Sequence, residues 1–318
     1  MPLKIGFVVL THDAPQQLLR LVRTLTAMFG NPPIACHHDF GQCQLDQTLF
    51  PKNVQFVHPH FTTRWGHISV PLGALKAFAL LRKHGQLDWI FLLSGSDYPV
   101  RAAEEIVTDL SNTKYDAYLD HVEVLSDTPP GDQKLKDEEH ERSEWIALAY
   151  HRYCTIRRPT KKSLLTGSFL FRRDEFVPIR NRCIERALRR FQLNRPSRIY
   201  AGDFWFHGNQ KAIDRLLDNP LMRKLVRYYR SREFPEESIF QTALCNQTDL
   251  LICKNHRRYT DWTNSGPHPK WLTASDMPQI AASGAYFARK FEVTASLEFL
   301  HETILPGKPS DQPRTPRS

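Results

Sequence analysis

The fold is decided by the stretch Trp89-Ile90-Phe91-Leu92-Leu93-Ser94-Gly95-Ser96-Asp97-Tyr98-Pro99. Its first five residues form a continuous apolar run, which is typical of a strand buried on both faces in a parallel sheet. The run stops in a polar loop rich in turn-forming residues. A second such run, Ile5 to Leu10, is followed by Thr11, His12 and Asp13. Two buried strands that end in polar loops indicate an α/β protein.

Helical and extended patterns alternate around these strands. Up to residue 119 they predict the order β-α-β-β-α-β-α-β, which is typical of an α/β fold with a mostly parallel central sheet flanked by helices. Ligands of such sheets bind outside the carboxyl ends of the strands. Thr11, Asp39 and Asp97 all fall at predicted strand ends. Further along, Tyr200 to Phe206 predicts one aromatic strand or a strand edge, and Pro235 to Leu244 predicts a helix that opens with proline and two carboxylates.

The composition is that of an ordinary globular protein with a basic bias. Apolar residues make up 41% of the 318 residues, which excludes collagen, coiled coils and wholesale disorder. Lys and Arg number 43 against 34 Asp and Glu, a formal charge of +9. This excess suggests an anionic partner, such as a nucleic acid, an anionic membrane surface or a phosphorylated substrate.

Several sequence features bear on location. No stretch approaches the roughly 18 apolar residues of a membrane span, and no signal-peptide pattern precedes Thr11. The six cysteines include no Cys-x-x-Cys pair, which favours free thiols in a reducing compartment. We therefore expect a cytoplasmic protein that contacts the inner membrane peripherally, if at all.

Common nucleotide and metal motifs are absent from the sequence. It contains no Gly-x-Gly-x-x-Gly, no Walker lysine loop and no Gly-x-Ser-x-Gly. It also lacks the Asp-x-Asp pair with which many nucleotide-sugar transferases hold a divalent ion. No zinc spacing occurs among His12, His37, His38, His58 and His60. We expect no metal and no other cofactor, so basic side chains would have to neutralise any bound diphosphate.

Three segments carry a resemblance to a known family: Ser94–Pro99, Pro235–Leu244 and Arg258–Lys290. In order and spacing they resemble the core-2/I-branching β-1,6-N-acetylglucosaminyltransferase family, which also contains peptide O-xylosyltransferases. The resemblance implies a GT-A-like fold, a UDP-sugar donor, inversion at the anomeric carbon and no metal. Without a recognisable leader or anchor, the chain is similar to bacterial members.

The resemblance assigns residues to the donor. Thr11 and His12 match the loop beside the uridine, and Asp39 matches a carboxylate that contacts the uridine. Trp65 lies in a segment that matches one near the base, where it would either stack on uracil or pack in the core. Asp97 would bind donor-sugar hydroxyls, the alternative being a turn or helix cap.

The resemblance also assigns the chemistry. Glu237 matches the acid that deprotonates the acceptor hydroxyl, and Glu236 stands where the family has an Asp. The alternative is that both acids only stabilise the N-terminus of a helix. Arg258 and Lys290 match the two cations that stabilise the leaving UDP. If the match were shifted by one residue, the neighbours Arg257 and Arg289 would take these two positions.

The segment Gly202-Asp203-Phe204-Trp205 matches one that lines the acceptor side in the family, where Trp205 would either stack on a sugar face or pack in the core. Arg101 matches a basic residue of the family's acceptor or donor cleft. Because Asp203 replaces the family's serine, the acceptor identity stays open. The residues from Thr11 to Lys290 favour one catalytic domain over 1–305, with a variable insertion or mobile region at 125–162 and a disordered tail at 306–318.

The predicted function is an inverting, metal-independent transfer from a UDP-sugar to a glycan or glycolipid hydroxyl. N-acetylglucosamine is the first donor and xylose the alternative. A different class, a nucleic-acid-binding protein, would use the basic run Arg180–Arg190, but no nucleic-acid motif accompanies that run.

Overall fold

A computed structural model describes residues 3–124, 137–154, 157–159, 176–178, 196, 198–263, 268–292, 297, 300 and 303–304. The chain divides into two compact units. The first comprises Met1–His58, Leu80–Lys114 and Arg257–Ser318, and the second comprises Pro59–Ala79 and Tyr115–His256. The single catalytic domain over 1–305 stays a prediction.

The described strands are β1 (Ile5–Thr11), β2 (Ile34–His38), β3 (Val54–Phe56), β4 (Trp89–Ser94), β5 (Tyr98–Pro99), β6 (Ala117–Leu119), β7 (Val122–Val124), β8 (Arg157–Pro159), β9 (Phe176–Pro178), β10 (Ile199–Ala201), β11 (Phe206–Asn209), β12 (Ile252–Cys253), β13 (Arg258–Thr260) and β14 (Phe287–Arg289). The described α-helices are α1 (Pro15–Met28), α2 (Ser69–Leu81), α3 (Ala103–Ser111), α4 (Asp137–Tyr153), α5 (Gln210–Asp218), α6 (Pro220–Tyr229), α7 (Ile239–Cys245) and α8 (Met277–Ser283).

A parallel sheet forms the centre of the first unit. Its strands run in the order β4-β1-β2-β3, and each neighbouring pair is parallel. Phe7, Val8 and Val9 of β1 are fully buried. Leu92 and Leu93 of β4 are fully buried as well. The predicted α/β class and parallel sheet are confirmed. The strands are apolar throughout because helices cover both faces of such a sheet.

A smaller sheet in the same unit positions the basic residues of the C-terminal part. Strand β14 pairs in parallel with β13 and antiparallel with β5. This register places Phe287 beside both Arg258 and Pro99. Strands β13 and β14 escape sequence analysis because three-residue strands are too short to show periodicity.

The second unit is mixed. Strand β6 pairs in parallel with β12 and antiparallel with β11. Its core includes a ring cluster in which Phe240 packs on Phe204 and Phe206 at centroid distances of 5.5 Å and 5.7 Å. Helix α5 begins where the Asn209 side chain accepts a hydrogen bond from the backbone N–H of Ala212, which caps the helix.

The prediction of one aromatic strand over Tyr200 to Phe206 is wrong. The structure has two strands there, β10 and β11, separated by residues 202–205. Gly202 lies so close to Asp120 that a Cβ on it would come within 2.1 Å of the Asp120 carbonyl oxygen. This close approach requires glycine and interrupts the extended run.

The predicted helix over Pro235 to Leu244 is also interrupted. Pro235–Glu237 form a 3-10 turn, and α7 begins only at Ile239. The carbonyl of Glu237 accepts a hydrogen bond from the backbone N–H of Gly202 at 2.8 Å. The Ser238 hydroxyl donates to the Tyr200 carbonyl at 2.6 Å. Tertiary partners thus replace helical hydrogen bonds at this position, because buried backbone groups require a partner of some kind.

Some predictions fall on residues outside those described. These are the tail at 306–318, the basic run Arg180–Arg190 and, within the 125–162 segment, residues 125–136, 155–156 and 160–162. Among the described helices, none combines the length and apolar character needed to cross a bilayer.

Candidate functional site

The first unit brings several predicted donor residues together at the carboxyl ends of β1 and β4. The backbone N–H of Gly95 donates to the Leu10 carbonyl at 2.9 Å, and that of Asp39 donates to the Thr11 carbonyl at 3.0 Å. A Cβ on Gly95 would lie only 2.9 Å from the Thr11 hydroxyl oxygen. Glycine therefore allows the loop after β4 to rest against the end of β1.

Asp97 forms the centre of a buried charge network in this loop. Its side chain is fully buried, and Oδ2 lies 3.1 Å from Nη2 of Arg258 while Oδ1 lies 3.4 Å from Nε of Arg289. Oδ2 also accepts from the backbone N–H of Ser94 at 2.9 Å. Arg258 donates in addition to the Leu92 carbonyl at 3.0 Å. The network ties the loop to β13 and β14.

Lys290 follows directly on β14 and is the more exposed of the two predicted diphosphate cations. Partial burial lowers the pKa of its ammonium, Arg289 lowers it further, and the carboxylates of Asp13 and Asp97 oppose both effects. Its Nζ lies 5.7 Å from the centre of the Trp271 ring. Lys290 thus stands near the end of β1 and the buried Asp97 network, with its charge partly desolvated.

The remaining predicted residues of the first unit differ in exposure. His12 is largely exposed, whereas the buried Asp39 carboxylate accepts from the backbone of Gly41 at 3.0 Å and from Gln42 at 2.6 Å. Arg101 pairs with Glu105 and Asp109 at 2.6 Å and 2.8 Å. The proposed roles of these residues in donor or acceptor binding stay predictions.

Glu237 lies in the second unit, at the end of the 3-10 turn. Its Oε2 is 2.7 Å from Nη1 of Arg152, and its side chain is 31% exposed while that of Arg152 is 8% exposed. The backbone of Glu237 is held by Gly202 on one side and by the Phe234 carbonyl on the other, at 2.8 Å and 3.1 Å. This arrangement fixes a partly exposed carboxylate on a rigid turn, as a general base requires.

The neighbouring acid, Glu236, is buried instead. Its Oε1 accepts from the backbone N–H of Gly66 at 3.0 Å, and the Gly66 carbonyl in turn accepts from the Phe234 N–H at 3.1 Å. Burial, with a smaller contribution from the nearby Glu237 charge, raises the pKa of Glu236 to about 8. The two adjacent acids therefore have different environments: one is buried and protonated at neutral pH, and the other faces solvent and a guanidinium.

This burial makes stability depend on pH. Between the unfolded pKa of about 4.3 and the folded value, only the folded chain keeps the Glu236 proton, so stability falls as the pH rises through that window. We expect Glu236→Gln, which cannot ionise, to gain in free energy of unfolding relative to wild type between about pH 5 and about pH 8. Urea unfolding at both pH values measures the difference; an equal difference at the two would contradict the buried, protonated state.

Trp65 and the acceptor-side residues also belong to the second unit. Trp65 is 64% exposed and packs edge-on against Phe234 at 4.8 Å between ring centres. Asp203 lies 3.1 Å from His256, and its backbone N–H donates to the Asp120 carboxylate at 3.2 Å. Trp205 packs on Phe204. Of the two sequence alternatives for Trp65, burial in the core is thus wrong, while its stacking on uracil stays a prediction.

A pocket of about 450 Å³ opens beside Asp203 in the same unit. It is lined by Asp120, His121, Val122, Trp145, Lys254 and Asn255. Carboxylate, amide and ammonium groups beside flat aromatic faces are the chemistry that hydroxyl-rich ligands require. Sequence analysis assigned none of these residues a role, since they come from three separate segments.

Arg152 is the functional candidate that sequence analysis missed. It lies in the 125–162 segment, interpreted from its weak pattern and high charge as an insertion. A signal was present in the apolar run around Tyr150 and Tyr153 of α4, both now buried. Arg289 is a second residue of this kind, because its Nε lies 3.4 Å from Oδ1 of Asp97. The resemblance names it only as the neighbour that would replace Lys290 if the match were shifted by one residue.

Comparison with known proteins identifies the family of the chain. The profile of the family described as Core-2/I-Branching enzyme matches residues 44–281, three quarters of the chain. The chain belongs to the Core-2/I-Branching enzyme family. The matched segment includes Glu237 and Arg258, whereas Thr11, His12, Asp39 and Lys290 lie outside it.

Two curated relatives of this family come from Arabidopsis thaliana. The β-glucuronosyltransferase GlcAT14B is 25% identical over 256 residues, covering 77% of this chain and 51% of the relative. The β-glucuronosyltransferase GlcAT14A is 25% identical over 223 residues, covering 68% and 42%. The chain spans about half the length of the curated relatives it matches.

A solved structure, that of the WbbM bifunctional glycosyltransferase in its apo form, aligns with this chain at 9% sequence identity and a TM-score of 0.42. The alignment covers 91% of this chain and 46% of the WbbM chain.

Proposed function

We propose that this protein is a glycosyltransferase that moves a sugar from a UDP-sugar to a hydroxyl group of a glycan or glycolipid. The observation that carries the proposal is the Glu237 turn: a partly exposed carboxylate, paired with Arg152 at 2.7 Å, at the position where the family places its base. Membership of the Core-2/I-Branching enzyme family supports the same chemistry.

In this proposal the acceptor hydroxyl attacks the anomeric carbon of the donor. Glu237 takes the hydroxyl proton as the new glycosidic bond forms, the bond to UDP breaks, and the configuration inverts. The leaving diphosphate gains negative charge, which Lys290 and the buried Arg258 stabilise in place of a metal ion. Thr11, His12, Asp39 and Trp65 would hold the uridine.

The donor sugar has three candidates. The family resemblance favours N-acetylglucosamine transferred in a β-1,6 linkage, with xylose as the alternative within the family. The two curated relatives are named as glucuronosyltransferases, which favours glucuronic acid. The acceptor would occupy the pocket lined by Asp120, Trp145 and Lys254, and the roles of Asp203, Trp205 and Arg101 toward the donor sugar or the acceptor belong to the same proposal. Peripheral contact with an anionic membrane and a cytoplasmic location belong to the proposal.

A donor panel tests the function directly. Purified protein is incubated with UDP-N-acetylglucosamine, UDP-xylose, UDP-glucuronic acid, UDP-glucose and UDP-galactose in EDTA, and UDP release is measured with and without glycan acceptors. We expect one donor to stand out and EDTA to leave its turnover intact. Activity that vanishes in EDTA and returns with manganese would overturn the metal-independent mechanism. Salt-sensitive binding of RNA or DNA, without any binding of a UDP-sugar, would favour the nucleic-acid alternative.

A further inference from the structure

Arg152 lies at the end of α4, in a segment to which the sequence assigns no chemistry. Its Nη1 contacts Oε2 of Glu237 at 2.7 Å, and its side chain is almost fully buried. A guanidinium removed from water interacts with a carboxylate more strongly than a surface pair does. The contact is therefore more than a solvent-exposed ion pair.

The guanidinium is itself held in place by the turn that carries Glu237. It lies over the Phe234 ring at 4.3 Å from the ring centre, a cation–π arrangement. The adjacent Tyr153 hydroxyl donates to the Phe234 carbonyl at 2.8 Å, and the Glu237 N–H donates to the same carbonyl at 3.1 Å. The base and its cation are thus anchored to one residue, so their separation is set by the fold.

Two further acidic groups, Tyr153 and Glu236, lie near the pair of Arg152 and Glu237. Tyr153 also lies within electrostatic range, but full burial raises its pKa well above the usual value, so it stays neutral. Glu236 is protonated at neutral pH because of its burial. Arg152 lies within electrostatic range of both acids, but its direct contact, at 2.7 Å, is with Glu237.

We propose that Arg152 is a positioning residue for the proposed reaction, and that its guanidinium orients the Glu237 carboxylate and keeps it ionised until it takes the acceptor proton. This inference rests on the proposed function. It extends the site to α4.

The test is the pH dependence of kcat/KM for Arg152→Met and Arg152→Lys, with the donor that the panel identifies. Removing a neighbouring positive charge raises the pKa of a carboxylate by about one unit or more, so the acidic limb should move to higher pH in Arg152→Met, with activity partly recovered at alkaline pH. Arg152→Lys keeps the charge but not the planar fork, so its limb should lie between those of Arg152→Met and wild type.

The matched control is Arg198→Met, which removes an arginine of the same unit that pairs with Glu123 on the surface, with 2.8 Å between Nε and Oε1. Its acidic limb should coincide with that of wild type. A loss of activity in the Arg152 variants that is uniform in pH, with the limb unmoved, would overturn the inference and indicate a purely structural role. If Arg152→Met does not fold, the limb of Arg152→Lys against wild type decides in the same way.

Failure of the inference is distinguishable from failure of the proposed function. An active wild type with an unmoved limb in the variants overturns only the role of Arg152. A wild type that releases UDP from no donor with any acceptor overturns both.

Discussion

Replacing Glu237 by Gln is expected to lower kcat by about 10²–10⁴, the usual contribution of a general base. The amide keeps the shape of the side chain and can still accept a hydrogen bond from Arg152, whose contact with Oε2 is 2.7 Å. It cannot take a proton from the acceptor hydroxyl. Because Glu237 acts on the acceptor in this proposal, UDP affinity should stay close to that of wild type. Steady-state UDP release and calorimetric titration with UDP measure the two quantities.

The matched control is Glu236→Gln, which changes the adjacent acid. Since that side chain is buried and protonated at neutral pH, the amide resembles its resting state, and turnover should remain within a few-fold of wild type. Near-normal turnover of Glu237→Gln, with intact donor binding, would remove Glu237 as the base. Equal losses in both variants would show that the turn, rather than the base, had been damaged.

Replacing Asp97 by Asn is expected to destabilise the protein by about 3–5 kcal/mol, the cost of breaking a buried ion pair from one side. The Asp97 carboxylate is fully buried and faces Arg258 and Arg289 at 3.1 Å and 3.4 Å. The amide has the same shape but no charge, so both guanidinium groups lose the anion opposite them. Urea unfolding at neutral pH measures the change.

The control for this prediction is Asp249→Asn. Asp249 pairs with Arg215 at 2.7 Å, yet both side chains are exposed, so water and salt screen the interaction and the loss should be much smaller. If Asp97→Asn costs less than about 1 kcal/mol, the value of a surface pair, the Asp97 network does not hold the loop after β4.

The parallel sheet of the first unit was predictable from sequence because it depends on local pattern. Its two longest strands, β1 and β4, are continuous apolar runs, and their ends are marked by polar residues such as Thr11 and Asp97. Parallel strands place these ends at one edge, so the sequence also predicts that they meet. The structure places them there, with Gly95 against Thr11.

The environment of the candidate base was not predictable in this way. Glu236 and Glu237 are adjacent and chemically alike, and a helix-start pattern fits both. Their difference comes from Gly66 and Arg152, which are 170 and 85 residues away along the chain. A sequence pattern cannot show which of two neighbouring acids meets a backbone N–H in the core and which meets a guanidinium.

By itself, the sequence determined the strands of the parallel sheet, the order of the motifs and the family to which they belong, because these depend on side-chain type and short spacing. Only the tertiary structure decided the charge environment of each site residue: Asp97 buried between two guanidinium groups, Glu236 protonated and Glu237 paired with Arg152. The physical reason is that desolvation and Coulomb energy depend on distances between atoms, and distant segments approach each other only when the chain has folded.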